Sequence, residues 1–171
     1  MNQAPVGKDF ILGGRAILTM VGKSSRFTFK VRQADPTDQQ PNPDLYFVSV
    51  MTGTDNEASY TYLGILNTRT GEVRPTKGTK LPQDHPAFVA AAWAFPAIWK
   101  TGRLPGGQAL HAGRCGRCAR LLTDPDSIRT GFGPECRDRL GIPIRKADVA
   151  EDYPGDGYRK TTGWDALGGA Q

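Results

Sequence analysis

The sequence has few cysteines and histidines and no long apolar run. Its 171 residues include three cysteines and two histidines. The longest apolar candidate, residues 86–99, is interrupted by proline and falls short of the ~20 residues that a transmembrane helix needs. The first ten residues lack the charged and then apolar layout of a secretion signal. We therefore expect a cytoplasmic protein, and we exclude membrane, collagen-like, coiled-coil and disulfide-scaffold classes.

Turn-forming residues and positive charge are abundant instead. The chain contains 21 glycines and 13 prolines, which favours short elements joined by many turns. The net charge of +5 is unevenly spread. Residues 103–146 carry nine basic and four acidic side chains, whereas residues 147–171 carry two basic and five acidic ones.

Alternating patterns in the first half predict a half-buried antiparallel sheet. In residues 26–32, Phe27 and Phe29 fall on one face and Arg26, Lys30 and Arg32 on the other. Similar runs, bounded by turn residues, cover residues 15–21, 45–51 and 60–66, with a short strand at 72–74. In the turn before that short strand, Gly71 is suited to a positive φ.

A helix is predicted to follow the sheet and pack on it. Asp84 is placed to cap it, Pro86 is tolerated in its first turn, and Gly102 ends it. Pro96 is expected to kink or shorten its last turn. Its apolar stripe contains Phe88, Ala92, Phe95 and Trp99, with Ala91 and Ile98 beside it.

These elements predict an α+β fold with an antiparallel sheet of four to five strands and one packed helix, within residues 1–102. Residues 1–9 read as a loose tail before the first strand. A small zinc-binding module of the treble-clef type is expected over residues 103–146, and a flexible acidic, glycine-rich tail over residues 147–171.

The three cysteines have the spacing of metal ligands. Cys115 and Cys118 form a Cys-x-x-Cys turn, and Cys136 follows Pro134 in the first turn of a predicted helix, where the helix N-terminus would stabilise a thiolate. An odd, clustered cysteine count argues against disulfides. A module of about 40 residues is too small for a core of its own, so one structural Zn²⁺ is the expected stabiliser.

The fourth ligand is less determined by the pattern. His111 is separated from Cys115 by three residues and is the preferred candidate, because it is near in sequence and zinc takes nitrogen and sulfur ligands. His85, Asp124 and Asp138 remain rivals. A redox role for Cys115 and Cys118 is disfavoured, because the strand-then-helix setting of such pairs is missing.

The run GRCGRCARLLTDPDSIRTGFGPEC, residues 113–136, resembles the small cysteine-rich zinc domain of unknown function found in phage and prophage proteins. The resemblance rests on Cys115 and Cys118, on the Leu122 to Ile128 stretch, and on the closing residues from Gly131 to Cys136. It implies a metal site and a phage or prophage setting, hence a host-cell cytoplasm. It implies no reaction.

Catalysis is not predicted. Four ligands would close the metal shell, whereas a catalytic zinc keeps a position open for water. The His-x-Glu pair of zinc deaminases and the phosphate-binding Gly-x-x-x-x-Gly-Lys run are both absent from the sequence. We therefore expect a binding protein rather than an enzyme.

The first functional hypothesis is nucleic-acid binding through arginine–phosphate contacts. The candidate contact residues fall into two groups. Arg114, Arg117, Arg120, Arg137 and Arg139 lie in the predicted zinc-binding module, which we call the finger, and Arg26, Lys30 and Arg32 lie on the sheet. Since Phe27 and Phe29 face away from those sheet cations, we expect them to be core residues and not a base-stacking platform.

The alternative hypothesis is a protein-interaction module. An accessory protein of this kind would occupy an acidic surface of a host protein, such as a defence or transcription complex, and would act in counter-defence without catalysis. The acidic segment from Asp148 to Asp156 would then be a second contact or a shield for the basic residues.

Overall fold

The computed structural model describes residues 6–35, 43–55 and 57–143. Its elements are α1 (Lys8–Ile11), β1 (Arg15–Val21), β2 (Arg26–Gln33), β3 (Tyr46–Met51), β4 (Tyr60–Leu66), β5 (Val73–Arg74), α2 (Pro86–Thr101), β6 (Gln108–His111), α3 (Pro125–Thr130) and α4 (Pro134–Leu140). The predicted tail at 147–171 lies outside the described residues.

The strands form one six-stranded antiparallel sheet in the order β5-β4-β3-β2-β1-β6. The α+β prediction is confirmed, and the predicted strand bounds agree to within a residue. The alternation of side chains explains this agreement, because one face of each strand must be buried to stabilise the pairing. The extra strand, β6, lies at the start of the predicted metal-binding module, where no strand was predicted.

Helix α2 covers one face of the sheet. Its buried residues are Ala87, Phe88, Ala91, Ala94, Phe95 and Ile98. The buried stripe therefore lies slightly to one side of the predicted one, in which Ala92 is exposed. Phe95 meets Phe29 of β2 edge-to-face, with ring centroids 5.5 Å apart. Phe29 is therefore a core residue, as its alternation predicts.

The ends of α2 differ in part from the prediction. The N-cap is His85, whose Nδ1 accepts a hydrogen bond from the backbone N–H of Ala87 at 3.2 Å, and not Asp84. Pro96 does not shorten the helix, which continues to Thr101. Gly102 ends it with a left-handed φ of 74°, as expected.

The N-terminal segment is a second correction to the sequence analysis. Described residues of the predicted loose tail are ordered, because Val6 is buried and its N–H donates to the carbonyl of Ala109 in β6 at 2.8 Å. In α1, which follows, Phe10 and Ile11 are almost fully buried. The apolar triplet from Phe10 to Leu12 was the available signal for this anchoring.

Strand β6 links the predicted metal-binding module directly to the sheet. It pairs with β1 from Leu18↔His111 to Val21↔Gln108. One compact unit ends at Gly141, and only Ile142 and Pro143 of the following unit are described. Within the described ranges, no helix combines the length and apolar character needed to cross a membrane.

Candidate metal centre and basic surface

The Cys115–Cys118 turn is a tight knuckle closed by backbone hydrogen bonds. An isolated antiparallel bridge joins Arg114 to Leu121 on either side of it. The N–H of Cys115 donates to the Arg120 carbonyl at 2.8 Å, and the N–H of Ala119 donates back to the Cys115 carbonyl at 2.9 Å. Ala119 adopts a left-handed φ of 61°, which turns the chain back sharply.

Helix α4 supplies the third thiol. Gly133 is its N-cap, Pro134 occupies the first turn, and Cys136 lies within that turn as predicted. Upstream, Asp124 caps α3 by accepting a hydrogen bond from the backbone N–H of Ser127 at 2.9 Å. The Sγ atoms of Cys115, Cys118 and Cys136 all lie within 4.8 Å of one another. Three thiols at this spacing can hold one metal ion.

The closeness of the three thiols also shifts their protonation. Burial raises the pKa of the Cys115 thiol, but hydrogen bonds from the backbone N–H groups of Cys118, Gly133 and Arg117 outweigh burial and lower it. The pKa of Cys136 is raised to about 12 by burial and by the two neighbouring thiols. Burial and the neighbouring thiols therefore outweigh the stabilisation of the Cys136 thiolate that was expected from the helix N-terminus.

A positive ion among the sulfurs would reverse this balance. Thiolate is the metal-binding form of cysteine, and three thiolates repel one another unless a cation lies between them. Zinc favours sulfur and nitrogen ligands, so the residues present fit a zinc ion. The geometry alone supports a metal ion of unspecified identity.

His111 is not brought to the thiol cluster, and this corrects its prediction as fourth ligand. It is fully buried in β6. Its Nδ1 accepts a hydrogen bond from the Gly113 N–H at 3.0 Å, and its Nε2 lies 2.6 Å from the carbonyl oxygen of Ile128. Since the Ile128 oxygen can only accept, Nε2 carries the proton and no free nitrogen lone pair remains.

The hydrogen bonds of His111 have a structural consequence. They connect β6 to the turn before the knuckle and to α3. Burial lowers the pKa of His111, and the hydrogen bond to Ile128 opposes that effect without cancelling it. The neutral imidazole is therefore a fixed part of the core.

The other candidates for the fourth ligand either form helix-capping hydrogen bonds or do not belong to the thiol cluster. His85 caps α2 and Asp124 caps α3. Asp138 is not in the thiol group found among the described residues. The sequence contains no further cysteine or histidine. A four-coordinate ion here would therefore take an oxygen ligand, from a carboxylate or a bound small molecule.

Phe10 packs the knuckle against the body, and sequence reasoning missed it. Its ring centroid lies 5.2 Å from that of His111 and 5.9 Å from that of Phe132. A Cβ added to Gly116, inside the knuckle, would come within 2.9 Å of the Phe10 ring. A Cβ on Gly131 would overlap the same ring. The two glycines are thus required by close packing.

The predicted cations around the finger lie mostly at the surface. Arg114, Arg117, Arg120 and Arg139 are exposed, whereas Arg137 is half-buried. On the sheet, Arg26 and Arg32 are exposed and Lys30 is half-buried. None of these residues forms an ion pair within the described ranges, where the pairs found are Glu72–Arg74 and Asp126–Arg129.

The two groups of cations are connected through Arg15. The N–H of Arg15 donates to the carbonyl of Gly116, next to Arg117, at 2.7 Å. Across β1 and β2, Arg15 is directly opposite Arg32. The backbone of the finger is therefore joined to the sheet at Arg15, a cation that the sequence analysis did not include.

Comparison with known proteins identifies the finger segment alone. Residues 107–141, from the start of β6 to the end of α4, match a family of unknown function (DUF6011). The predicted resemblance to a cysteine-rich family without known activity agrees with this match. No curated protein and no solved structure matches the chain significantly.

Proposed function

We propose that the chain is a nucleic-acid-binding protein whose finger is held together by one structural zinc ion. The observation that supports the metal is the convergence of three cysteine sulfurs within 4.8 Å. Zinc links the knuckle to α4, in a segment that has few buried apolar residues of its own. Cys115, Cys118 and Cys136 are the protein ligands.

Unpaired positive charge supports the nucleic-acid part of the proposal. Arg32, Arg15 and Arg117 follow one another from the sheet into the finger, without an acidic partner in the described ranges. Arginine binds phosphate through two parallel hydrogen bonds. In this proposal the sheet domain (1–102) and the metal module (103–146) contribute to one contact surface, in the cytoplasm of a host cell if the phage setting holds.

The metal is tested by its stoichiometry and by its effect on folding. Purified protein should contain one zinc per chain, and a chelator should release it together with a rise in free thiols from none to three. Cys118→Ser should bind zinc more weakly, while Thr123→Ser, beside the knuckle, should not. Metal-free protein with an unchanged unfolding curve would contradict a structural role for the ion.

Binding is tested by a gel shift with a labelled duplex at two salt concentrations. Arg32→Gln and Arg117→Gln should weaken binding and each lower the slope of log K against log salt by about one. The matched control is Arg103→Gln, which follows the helix on the opposite face of the sheet. Affinity independent of salt would contradict the proposal and favour the protein-interaction alternative.

A further inference from the structure

The face of the sheet opposite α2 combines cations with aromatic rings. On β2 this face carries Lys30 and Arg32, whose neighbours Phe29 and Val31 point into the core. Phe29 therefore faces away from these cations, as its alternation predicts. The adjacent strands supply them, since register places Phe47 opposite Arg32 and Ser49 opposite Lys30.

Strand β4 extends the aromatic part of this face. Tyr62 pairs with Ser49 and Tyr60 pairs with Met51. A bulge between Val48 and Ser49 shifts the register, so that both tyrosines share the face of Phe47 while Leu63 is buried on the other side. We call Phe47, Tyr60 and Tyr62, with Lys30 and Arg32, the open-face cluster.

The rings and cations of the open-face cluster touch one another. The ring centroids of Phe47 and Tyr62 are 6.2 Å apart with planes at 61°. Lys30 Nζ lies 4.3 Å from the Tyr60 centroid, and the Arg32 guanidinium lies 5.5 Å from that of Phe47. Together with Ser49, four of these residues line an open depression of about 460 Å³.

The charged side chains within the six described strands are all basic. The six described strands contain Arg15, Arg26, Lys30, Arg32 and Arg74 and no aspartate or glutamate. Arg15 and Arg32 are directly opposite each other, an arrangement of like charges that destabilises a strand pair. An anionic ligand across this row would relieve the repulsion.

We propose that the open-face cluster binds single-stranded nucleic acid, with unpaired bases stacking on Phe47 and Tyr62 and phosphates held by Arg15, Lys30 and Arg32. This inference rests on the proposed function and adds a substrate class to it. Aromatic rings framed by cations are the general means of holding single strands, because every base has a stacking face whereas phosphates repeat along the chain.

The geometry explains the preference for a single strand. The two rings present their faces in different directions, and only a flexible strand with unstacked bases can follow both. In a duplex the base faces are covered by their neighbours, so a duplex would contact the cations alone. The Thr76 hydroxyl, which donates to the Tyr62 hydroxyl at 3.3 Å, helps to hold that ring in place.

Fluorescence anisotropy with labelled 15-residue oligonucleotides tests the inference on the zinc-loaded full chain. The probes are oligo-dT, oligo-U and a DNA duplex of equal length, in 50 mM and 200 mM salt. We expect at least one of the two single strands to bind more tightly than the duplex, and the comparison of oligo-dT with oligo-U distinguishes DNA from RNA.

Variants separate stacking from charge. Phe47→Leu and Tyr62→Leu keep apolar volume but remove the ring, so each should weaken single-strand binding roughly 5- to 100-fold with little change in salt slope. Phe47→Trp should retain binding. The control is Trp93→Leu, which removes an exposed ring on the far side of α2. Urea unfolding of each variant identifies any that lose affinity through instability.

Two other results would overturn the inference in distinguishable ways. Equal affinity for single strand and duplex, with both leucine variants folded and binding like the unsubstituted chain, would exclude stacking and leave arginine–phosphate binding intact. No binding to any of the three probes in 50 mM salt would contradict the proposed function, and the stacking surface with it.

Discussion

Replacing Phe10 by alanine should be among the most destabilising single changes in the described chain. Phe10 is only 2% exposed, and its ring fills the space between the knuckle, His111 and Phe132. Removing a buried phenylalanine ring costs about 3–5 kcal/mol of unfolding free energy. The cost depends on whether the surroundings can close over the cavity.

Here the surroundings are backbone atoms that are held in place. The Gly116 N–H donates to the Gly131 carbonyl at 2.9 Å, and the Gly116 carbonyl accepts from Arg15 at 2.7 Å. Neither glycine has a side chain that could move into the gap. We therefore expect a loss near the upper end, about 4–5 kcal/mol, which is a large part of the 5–15 kcal/mol typical of a whole domain.

The assay is urea unfolding followed by tryptophan fluorescence on zinc-loaded protein, with Phe10→Leu as a milder variant that should lose about 1–2 kcal/mol. Trp93→Leu serves as the exposed control. Because Phe10 packs on the knuckle glycine, Phe10→Ala should also accelerate zinc release to a chelator. A loss below about 1 kcal/mol for Phe10→Ala would refute this account of how the finger is attached.

A double-mutant cycle tests the contact itself. Gly131→Ala should destabilise both by its left-handed φ of 77° and by overlap with the Phe10 ring. In the Phe10→Ala background the overlap is absent and the backbone cost of about 1–2 kcal/mol remains. If the losses of the two single variants sum to the loss of the double variant within about 0.5 kcal/mol, the two residues do not touch.

Two further predictions concern His111 and the left-handed glycines. Because burial lowers the pKa of His111 in the folded chain, the unfolded chain takes up the proton first, so stability should fall as pH drops below about 6.5. His111→Gln should flatten the pH dependence of the urea unfolding midpoint between pH 7 and 5.5. Zinc release is measured in parallel, and a profile as steep as that of the unsubstituted chain would contradict the burial argument. Gly71 and Gly102 have φ values of 76° and 74°, but a Cβ on Gly71 would lie 2.8 Å from the Trp99 ring whereas one on Gly102 meets nothing within 4 Å. Thermal unfolding should therefore show a larger loss of stability for Gly71→Ala than for Gly102→Ala. Equal losses would rule out a contribution from the clash with the Trp99 ring.

Local patterns in the sequence were sufficient to predict the main strands, the helix and the convergence of the three thiols. Side-chain alternation identifies β1 to β4, because one slipped residue would turn the buried set to solvent. The glycine at 71 was expected to take a positive φ and does so. Cysteine spacing and the proline before Cys136 predicted a knuckle followed by a cysteine on a helix, and both are present.

Contacts between distant segments were decided only by the tertiary structure. Nearness in sequence suggested His111 as a metal ligand, but pairing of β6 with β1 buries it and commits both ring nitrogens to backbone groups. Phe10 gains its role from two glycines more than a hundred residues away. The open-face cluster likewise arises from the register between strands, which alternation within any single strand does not determine.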